Sequence, residues 1–432
     1  MSDTLDINFF DPATNACPYP AYEQLREEAP VWRDPHTGMF VITRYEDLKA
    51  ILSNPELFTN QVGSAAGMTE KAMKPTDPEE IRKQEEAAEQ ERQIQKLYEE
   101  KGWVPARNLD ALDGEKHTEL RRMMSQAFRP GRVKQLDPYV EGLANDLFDS
   151  FIGDGHCEWV SAFAVPLPLY TIGKQMGVPP EDMPRIKAWT DAWVQRLGLM
   201  QTMEERLWSA EKEIEAQHYF QAIFERLRET PEDTVLSDLV NKPIPEWGRT
   251  LTDEELHGEM MADIFVGGSE TTTNALSAGV VMLIEKPEVW AALKSDPDKY
   301  LPVFIEEVVR LETPVQGLLR EVARDTELHG VELPAGSILN MRFAAGNRDG
   351  REYGCPADVD LEREGAKGHL GYGFGAHFCL GAALARRELF WGFKGLVDRV
   401  EEIRFADGNT FEYHPNYFLR ALKELHIEFT PR

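Results

Sequence analysis

His369-Leu370-Gly371-Tyr372-Gly373-Phe374-Gly375-Ala376-His377-Phe378-Cys379-Leu380-Gly381 is the stretch whose reading decides the fold. Glycines at alternate positions (Gly371, Gly373, Gly375) make a tight loop, which delivers Cys379 to the start of a helical run from Ala382 to about Val397. As a string, Gly371 to Ala376 also satisfies G-x-G-x-x-A. That dinucleotide fingerprint needs an apolar strand just before it and a βαβ unit around it; neither is present, so phosphate binding is rejected. What remains is one cysteine where free helix amides and the positive dipole end favour a thiolate and lower its pKa. A thiolate is a strong, soft donor to iron, and a single axial thiolate is one way to hold haem. A buried structural cysteine would not need the three glycines ahead of it.

A second unusual segment lies upstream. Thr252-Asp253-Glu254-Glu255 forms a capping box, and the helix it opens runs to about Glu285, where Pro287 stops it. At 1.5 Å per residue this helix is roughly 50 Å long, enough to cross a domain. Its middle, Phe265-Val266-Gly267-Gly268-Ser269-Glu270-Thr271-Thr272-Thr273, is a poor helix interior. Each glycine costs about 1 kcal/mol against alanine, and the threonines add β-branched strain. Paired glycines admit a flat body close to the backbone, and the hydroxyls bond to i−4 carbonyls and open the helix locally. Glu270 and Thr271 place an acid and an alcohol at the distortion, suited to passing protons inward.

Around these segments the chain is mainly α with a minor β-sheet region. Strand-like pieces lie near 31–43 and from 320 to 339, the latter with a hairpin about Gly330 to Gly336. No repeat of solenoid or propeller period occurs. With 42% apolar residues and 432 positions the chain is globular and long enough to bury a core without staples. A single domain over residues 1–432 is expected. The 47 Lys+Arg against 75 Asp+Glu give a net charge of −28, which argues against nucleic acid or anionic membrane as a partner. No run reaches the roughly 18–20 apolar residues of a membrane span, so no membrane insertion is expected. Met1–Phe10 lacks a basic region and an apolar core, so no signal peptide is read. The four cysteines (Cys17, Cys157, Cys355, Cys379) are widely spaced, which suits a reducing, cytoplasmic location. Glu79 to Lys101 is packed with charge and with i,i+4 pairs such as Glu79–Lys83 and Lys96–Glu100. It reads as a solvated surface helix or, following the turn-rich 63–78, as a lid.

Taken together, the motifs resemble the cytochrome P-450 family, the haem-thiolate monooxygenases. Tyr372 to Gly381 is similar to the haem signature F-G-x-G-x-H-x-C-x-G, with Tyr372 in place of the leading Phe. Gly267 to Thr272 resembles the oxygen-activating [AG]-G-x-[DE]-T-T. Glu307-Val308-Val309-Arg310 matches E-x-x-R, and His117 to Arg121 matches H-x-x-x-R. Arg320, ahead of Asp325, lies where bacterial members place another propionate arginine. Either short pair alone carries no weight in a chain this long, but five motifs in family order do.

The resemblance implies a cytochrome P-450 fold with haem b held by Cys379 as axial ligand. His117, Arg121, Arg320 and His377 would hold the propionates, where charge-assisted bonds are the strong kind. Gly268, Phe374 and Gly381 would border the haem, and Thr271 and Glu270 would manage dioxygen and its protons. Glu307 and Arg310 would form a structural pair, completed by Arg363 or His369, because the family's P-x-R-F arginine is missing from Pro356 to Asp360. Walls of the substrate pocket would include Phe265, Val266, Val315, Leu318 and Phe418, with the enlarged, charged 60–110 region as roof. The expected activity is insertion of one oxygen atom of O2 into a C–H bond of a small, largely apolar organic substrate, as hydroxylation or O-demethylation. Electrons would come from NAD(P)H through a separate reductase and a ferredoxin or flavodoxin, since the chain is too short for a fused reductase. Arg121, Arg122, Arg129, Arg132, Arg386 and Arg387 would offer the docking face of a monomer. A peroxide-driven relative would not need the Glu270–Thr271 pair, nor would a haem sensor without turnover.

Overall fold

A computed structural model describes residues 5–62 and 78–432; the turn-rich stretch read ahead of the charged helix lies outside the described residues, as do the side chains of Glu79 and Lys83. The helices that position the site are α1 (Pro78–Lys101), α2 (Gly114–Ser125), α3 (Pro130–Phe151), α4 (Pro166–Met176), α5 (Met183–Leu197), α6 (Met203–Glu229), α7 (Asp253–Glu259), α8 (Gly267–Glu285), α9 (Pro297–Leu311) and α10 (Ala382–Arg399). The strands are β1 (Val31–Arg33), β2 (Phe40–Ile42), β3 (Phe58–Thr59), β4 (His156–Glu158), β5 (Leu318–Val322), β6 (Thr326–Leu328), β7 (Val331–Leu333), β8 (Ile338–Met341), β9 (Val400–Phe405) and β10 (His426–Pro431). Helix dominates and the sheets are small, as the patterning predicts.

The first sheet runs β1-β2-β8-β5-β3, with β2 and β8 parallel and the other pairs antiparallel. A second orders β4-β10-β9, and β6 and β7 form a separate hairpin. That hairpin begins earlier than the sequence suggests: its turn is His329-Gly330, both with positive φ (54° and 79°), the geometry of a two-residue connection that matches strand twist. The stretch Pro334–Gly336 is the next turn, leading into β8.

The largest core gathers α3, α8, α9 and α10. Phe148, Trp159 and Phe163 form an aromatic stack, with Trp159 and Phe163 centroids 4.5 Å apart. Helices α8 and α10 touch closely because Gly279 faces Phe393: a Cβ at Gly279 would sit 2.2 Å from the ring.

The capping box is present, Thr252 and Glu255 bonding reciprocally. The long helix it starts is distorted earlier than its composition suggests: α7 passes into a π-helical segment, Met260–Val266, and the glycine–threonine stretch itself is regular α-helix from the start of α8 at Gly267. Ser269 Oγ donates to Phe265 O (2.6 Å) and Thr271 Oγ1 to Gly267 O (3.0 Å), the i−4 bonds expected of hydroxyls at an opened helix.

Helix α1 is solvated on one face only. Ile94 and Tyr98 are buried against Ala210 and Ile214 of α6. The Tyr98 hydroxyl donates to Glu213 (2.6 Å), which is also paired with Arg196. Lys96 and Glu100 lie 3.6 Å apart on the exposed side.

Candidate active site

Between α8 and the loop leading into α10 lies a slot-shaped cavity of about 310 Å³. Cys379 and Gly381 line one wall; Gly267, Gly268 and Thr271 line another. His377, Arg320 and Phe374 stand at its margin, and Val266, Val315, Leu318 and Phe418 supply apolar surface.

Buried ion pairs hold the loop below. Glu307 and Arg310 are wholly buried, with Arg310 Nε donating to Glu307 Oε1 (2.7 Å) and Nη2 to Oε2 (2.8 Å). The open third position is taken by Arg363, whose Nε donates to Glu307 Oε1 at 2.9 Å. Arg310 also donates to the carbonyls of Asn347, Pro356 and Asp358, tying α9 to the meander before the cysteine. His369 pairs instead with Glu306 (3.1 Å), which also receives two bonds from Arg386. Against burial, which raises it, these bonds from His369 and Arg386 bring Glu306 down to about 2.

The loop bends where glycine is required. Gly375 has φ +70°, and a Cβ there would meet Leu52 O at 2.7 Å. Tyr372 keeps the aromatic ring of the signature, with Arg386 4.4 Å from its centroid, while its hydroxyl is buried without a partner. Cys379 N donates to Tyr372 O (2.8 Å), closing the turn.

Cys379 is accessible on the cavity side, although protein surrounds it. Burial therefore raises its thiol, contrary to the expected lowering. The amides of Gly381 and Ala382, together with Arg121 and Arg386, act in the predicted direction but do not outweigh desolvation.

Four groups suited to carboxylates meet at one edge. His117 and His377 lie with ring centroids 4.0 Å apart. His117 Nε2 is buried without a hydrogen-bond partner. Arg320, 5% exposed, donates Nη1 to the carbonyl of Leu319 at 2.8 Å. Arg121 donates to Phe378 O beside the cysteine. Burial, its largest cause, drops His377 to about 3 and His117 to about 4, so both imidazoles are neutral hydrogen-bonding groups here. A thiol open to a slot, two adjacent glycines in its facing wall, an orphaned imidazole nitrogen and a buried arginine fit a flat, thiolate-ligated macrocycle with carboxylate arms.

Two predicted residues face elsewhere. Glu270 is buried against α5, accepting from Lys187 Nζ (3.2 Å) and Thr190 Oγ1 (3.1 Å). Burial raises its carboxyl and Lys187 opposes the rise. Phe265 does not line the cavity: fully buried, it packs on Phe220 with centroids 5.3 Å apart. It lies six residues before Thr271, about 240° around the helix, and so belongs to the core behind. The basic patch is largely neutralised: Arg122 pairs with Glu246, Arg132 with Asp233, Arg386 with Glu306 and Arg387 with Asp137.

Sequence reading missed the acids at the cavity, Asp110, Asp263 and Glu388. Asp110 and Glu388 sit among other charged residues and Asp263 is a lone acid in the apolar run Met260–Val266; only the packing brings the three to one cavity. A second cavity of about 650 Å³ adjoins the first along Asn108, Trp193, Leu197 and Ala262, with Ile94 and Tyr98 of α1 in its wall.

The chain's similarity to known proteins agrees with this geometry. The cytochrome P450 family model matches residues 186–401. Cytochrome P450 CYP107DY1 of Priestia megaterium is 30% identical over 94% of this chain and 95% of its own. A steroid C26-monooxygenase of Mycobacterium tuberculosis is 29% identical, covering 95% of this chain and 93% of its own. The P450 heme domain of Tepidiphilus thermophilus superposes with a TM-score of 0.85 at 27% identity, over 98% of this chain and 96% of that one. The chain belongs to the cytochrome P450 family. It is accordingly a monooxygenase that uses haem and O2 and draws electrons from redox partners. Among the described residues, no helix is long and apolar enough to cross a membrane.

Proposed function

We propose that Cys379 is the axial thiolate of a haem b in the slot, and that the enzyme oxidises a C–H bond of a largely apolar organic molecule, by hydroxylation or O-demethylation. The observation that carries this reading is the placement of Cys379 and Thr271 on different walls of one cavity, with Arg320 and His377 at its edge. The bound haem supplies the oxidising chemistry, the thiolate favouring O–O cleavage.

The chain's own residues do the rest. His117, Arg121, Arg320 and His377 hold the propionates, and Gly268, Phe374 and Gly381 border the ring. The Thr271 proton is committed to Gly267 O, so its oxygen presents lone pairs to the cavity and accepts a hydrogen bond from water there. Glu270, between Lys187 and Thr190, exchanges protons with the interior once it turns from Lys187. The apolar surface of Val266, Val315, Leu318 and Phe418 supports a largely apolar substrate, as does the relative named a steroid C26-monooxygenase. The adjoining cavity gives that molecule a route in, with α1 as its outer wall.

Electrons come from NAD(P)H through a separate ferredoxin or flavodoxin and its reductase, to a monomer acting as one domain in the cytoplasm. Exposed Phe378, next to Cys379 and held by Arg121, supports docking on that side. The test is the carbon monoxide difference spectrum of the reduced protein. A strongly red-shifted Soret band is expected, and Cys379→Ser abolishes it; a band typical of histidine ligation overturns the assignment. Turnover with NAD(P)H and redox partners is expected, and turnover with peroxide alone would overturn the electron route.

A further inference from the structure

Asp110, on the short turn Leu109–Ala111, and Asp263, in the π-helical segment, both line the cavity, with Asn108 between the two cavities. Asp110 N donates to Asp263 Oδ2 at 3.4 Å. Glu259 stands behind them, 1% exposed; its Oε1 accepts from Leu109 N (2.8 Å), and its carboxyl shares a hydrogen bond with Asp263. This carboxyl faces Asp263 and Asp110. Asp110 is exposed where it lines the cavity, and the surrounding protein partly desolvates it.

The charges around the trio do not balance. Burial raises all three carboxyls, and for Asp263, pushed up to about 7, the charge of Asp110 is the next cause. Among the described residues the cation facing Asp110 is Arg320, which also faces Asp113. Under the function proposed above, Arg320 is claimed by a propionate, and the acids keep no counter-charge of their own. Carboxylates this close do not ionise together without one. A metal ion does not fit: among the described residues no group of His, Cys, Asp and Glu is arranged to hold one.

We infer that the substrate carries a cationic nitrogen, held at the roof of the cavity between Asp110 and Asp263, while its apolar body lies along Val266, Val315, Leu318 and Phe418. The inference rests on the monooxygenase reading and names its substrate class: an apolar skeleton bearing a basic amine. The cation supplies the missing charge, lets Asp110 and Asp263 ionise together, and displaces the proton that Asp263 shares with its neighbours.

The probes are 4-phenylbutyltrimethylammonium, which has no lone pair to offer iron, and its carbon isostere with tert-butyl in place of trimethylammonium. Binding to the haem-loaded protein is measured calorimetrically at pH 8. The cation is expected to bind at least about tenfold more tightly than the isostere. In the Asp110→Asn/Asp263→Asn double variant the two should bind alike, with the isostere unchanged. Wild-type protein alone gives a second readout: cation affinity should rise from pH 6 to pH 8 through the titration of Asp263, with Asp110, Glu259 and Arg320 the other charged groups facing it, while the isostere stays flat. Equal binding of the two probes by wild-type protein, or a preference that survives in the double variant, overturns the inference. The carbon monoxide spectrum of each protein separates the failures. A thiolate signature without cation preference defeats this inference alone, and a missing signature defeats the reading beneath it as well.

Discussion

The floor and the roof of the cavity handle buried charge in opposite ways. In the floor, Glu307 is met by Arg310 and Arg363, and Glu306 by His369 and Arg386. In the roof, Glu259, Asp263 and Asp110 crowd together and share at most the one arginine. A buried charge with good partners fixes geometry, and one without them stores a demand for a ligand. The floor is built to hold a cysteine still, and the roof to be completed from outside.

The comparison breaks most visibly at Arg310. Arg310→Ala leaves Glu307 buried with half its partners and the carbonyls of Asn347 and Pro356 without their donor. Removing one member of such a pair costs about 3–5 kcal/mol. Thermal unfolding should show that loss, together with a low yield of haem-loaded protein. Arg363→Ala removes the outer partner and leaves Arg310 in place, so about 1–3 kcal/mol is expected by the same melt. Equal losses in the two variants would mean that Arg363 completes the pair as fully as Arg310 does.

Substitution in the roof should act with the opposite sign. Asp263→Asn keeps the shape and removes a group that burial penalises, so at pH 8 the protein should gain about 1–2 kcal/mol in denaturant unfolding. A loss there would show that the carboxyl is already compensated.

The pH profile of stability sharpens the same contrast. Glu306 is depressed to about 2 in the folded state, so its contribution is present above the ordinary carboxylate range and is lost as pH falls toward 2. His369, lowered by burial, adds in the same direction: its contribution is present above the ordinary histidine range and is lost as pH falls below it. Asp263, raised to about 7, contributes stability below the ordinary carboxylate range and loses it as pH rises through 7. Melting temperatures across pH should therefore fall on the acid side in a manner that Glu306→Gln flattens. The decline toward pH 8 should be flattened by Asp263→Asn.

Legibility in the sequence followed locality. The cysteine loop and the weakened helix are contiguous motifs that could be read from their own residues, while the Glu307–Arg310 pair gained weight only from its order among them. The choice between Arg363 and His369 was not local: both lie in the meander, and only its path puts Arg363 on Glu307 and His369 on Glu306. Asp110 and Asp263 are 153 positions apart, and each alone is an unremarked acid. Phe265 shows the limit within a helix, where proximity to a motif does not fix the face. The thiol of Cys379 shows a competition of effects: the helix amides act as read, but burial, invisible in one dimension, outweighs them.

The smallest effect on stability should come from Thr271, where the roof meets the reacting space. Its hydroxyl bonds to the carbonyl of Gly267 in its own helix. That carbonyl lies beside the opened π-segment and also borders the cavity, where water can replace the lost donor. Thr271→Ala should therefore melt within about 0.5 kcal/mol of the parent, with haem binding unchanged. Its cost should appear in turnover. Without an acceptor at this position, water in the cavity is no longer oriented toward the oxygen site, and several-fold more of the electron flow should leave as peroxide. Peroxide and product measured against NAD(P)H consumed give the answer. Unchanged coupling with an unchanged melt would make Thr271 a helix residue that merely lines the wall, and the proton-handling role would then fall to Glu388, the buried acid of α10 that hydrogen-bonds Thr272 and lines the same cavity.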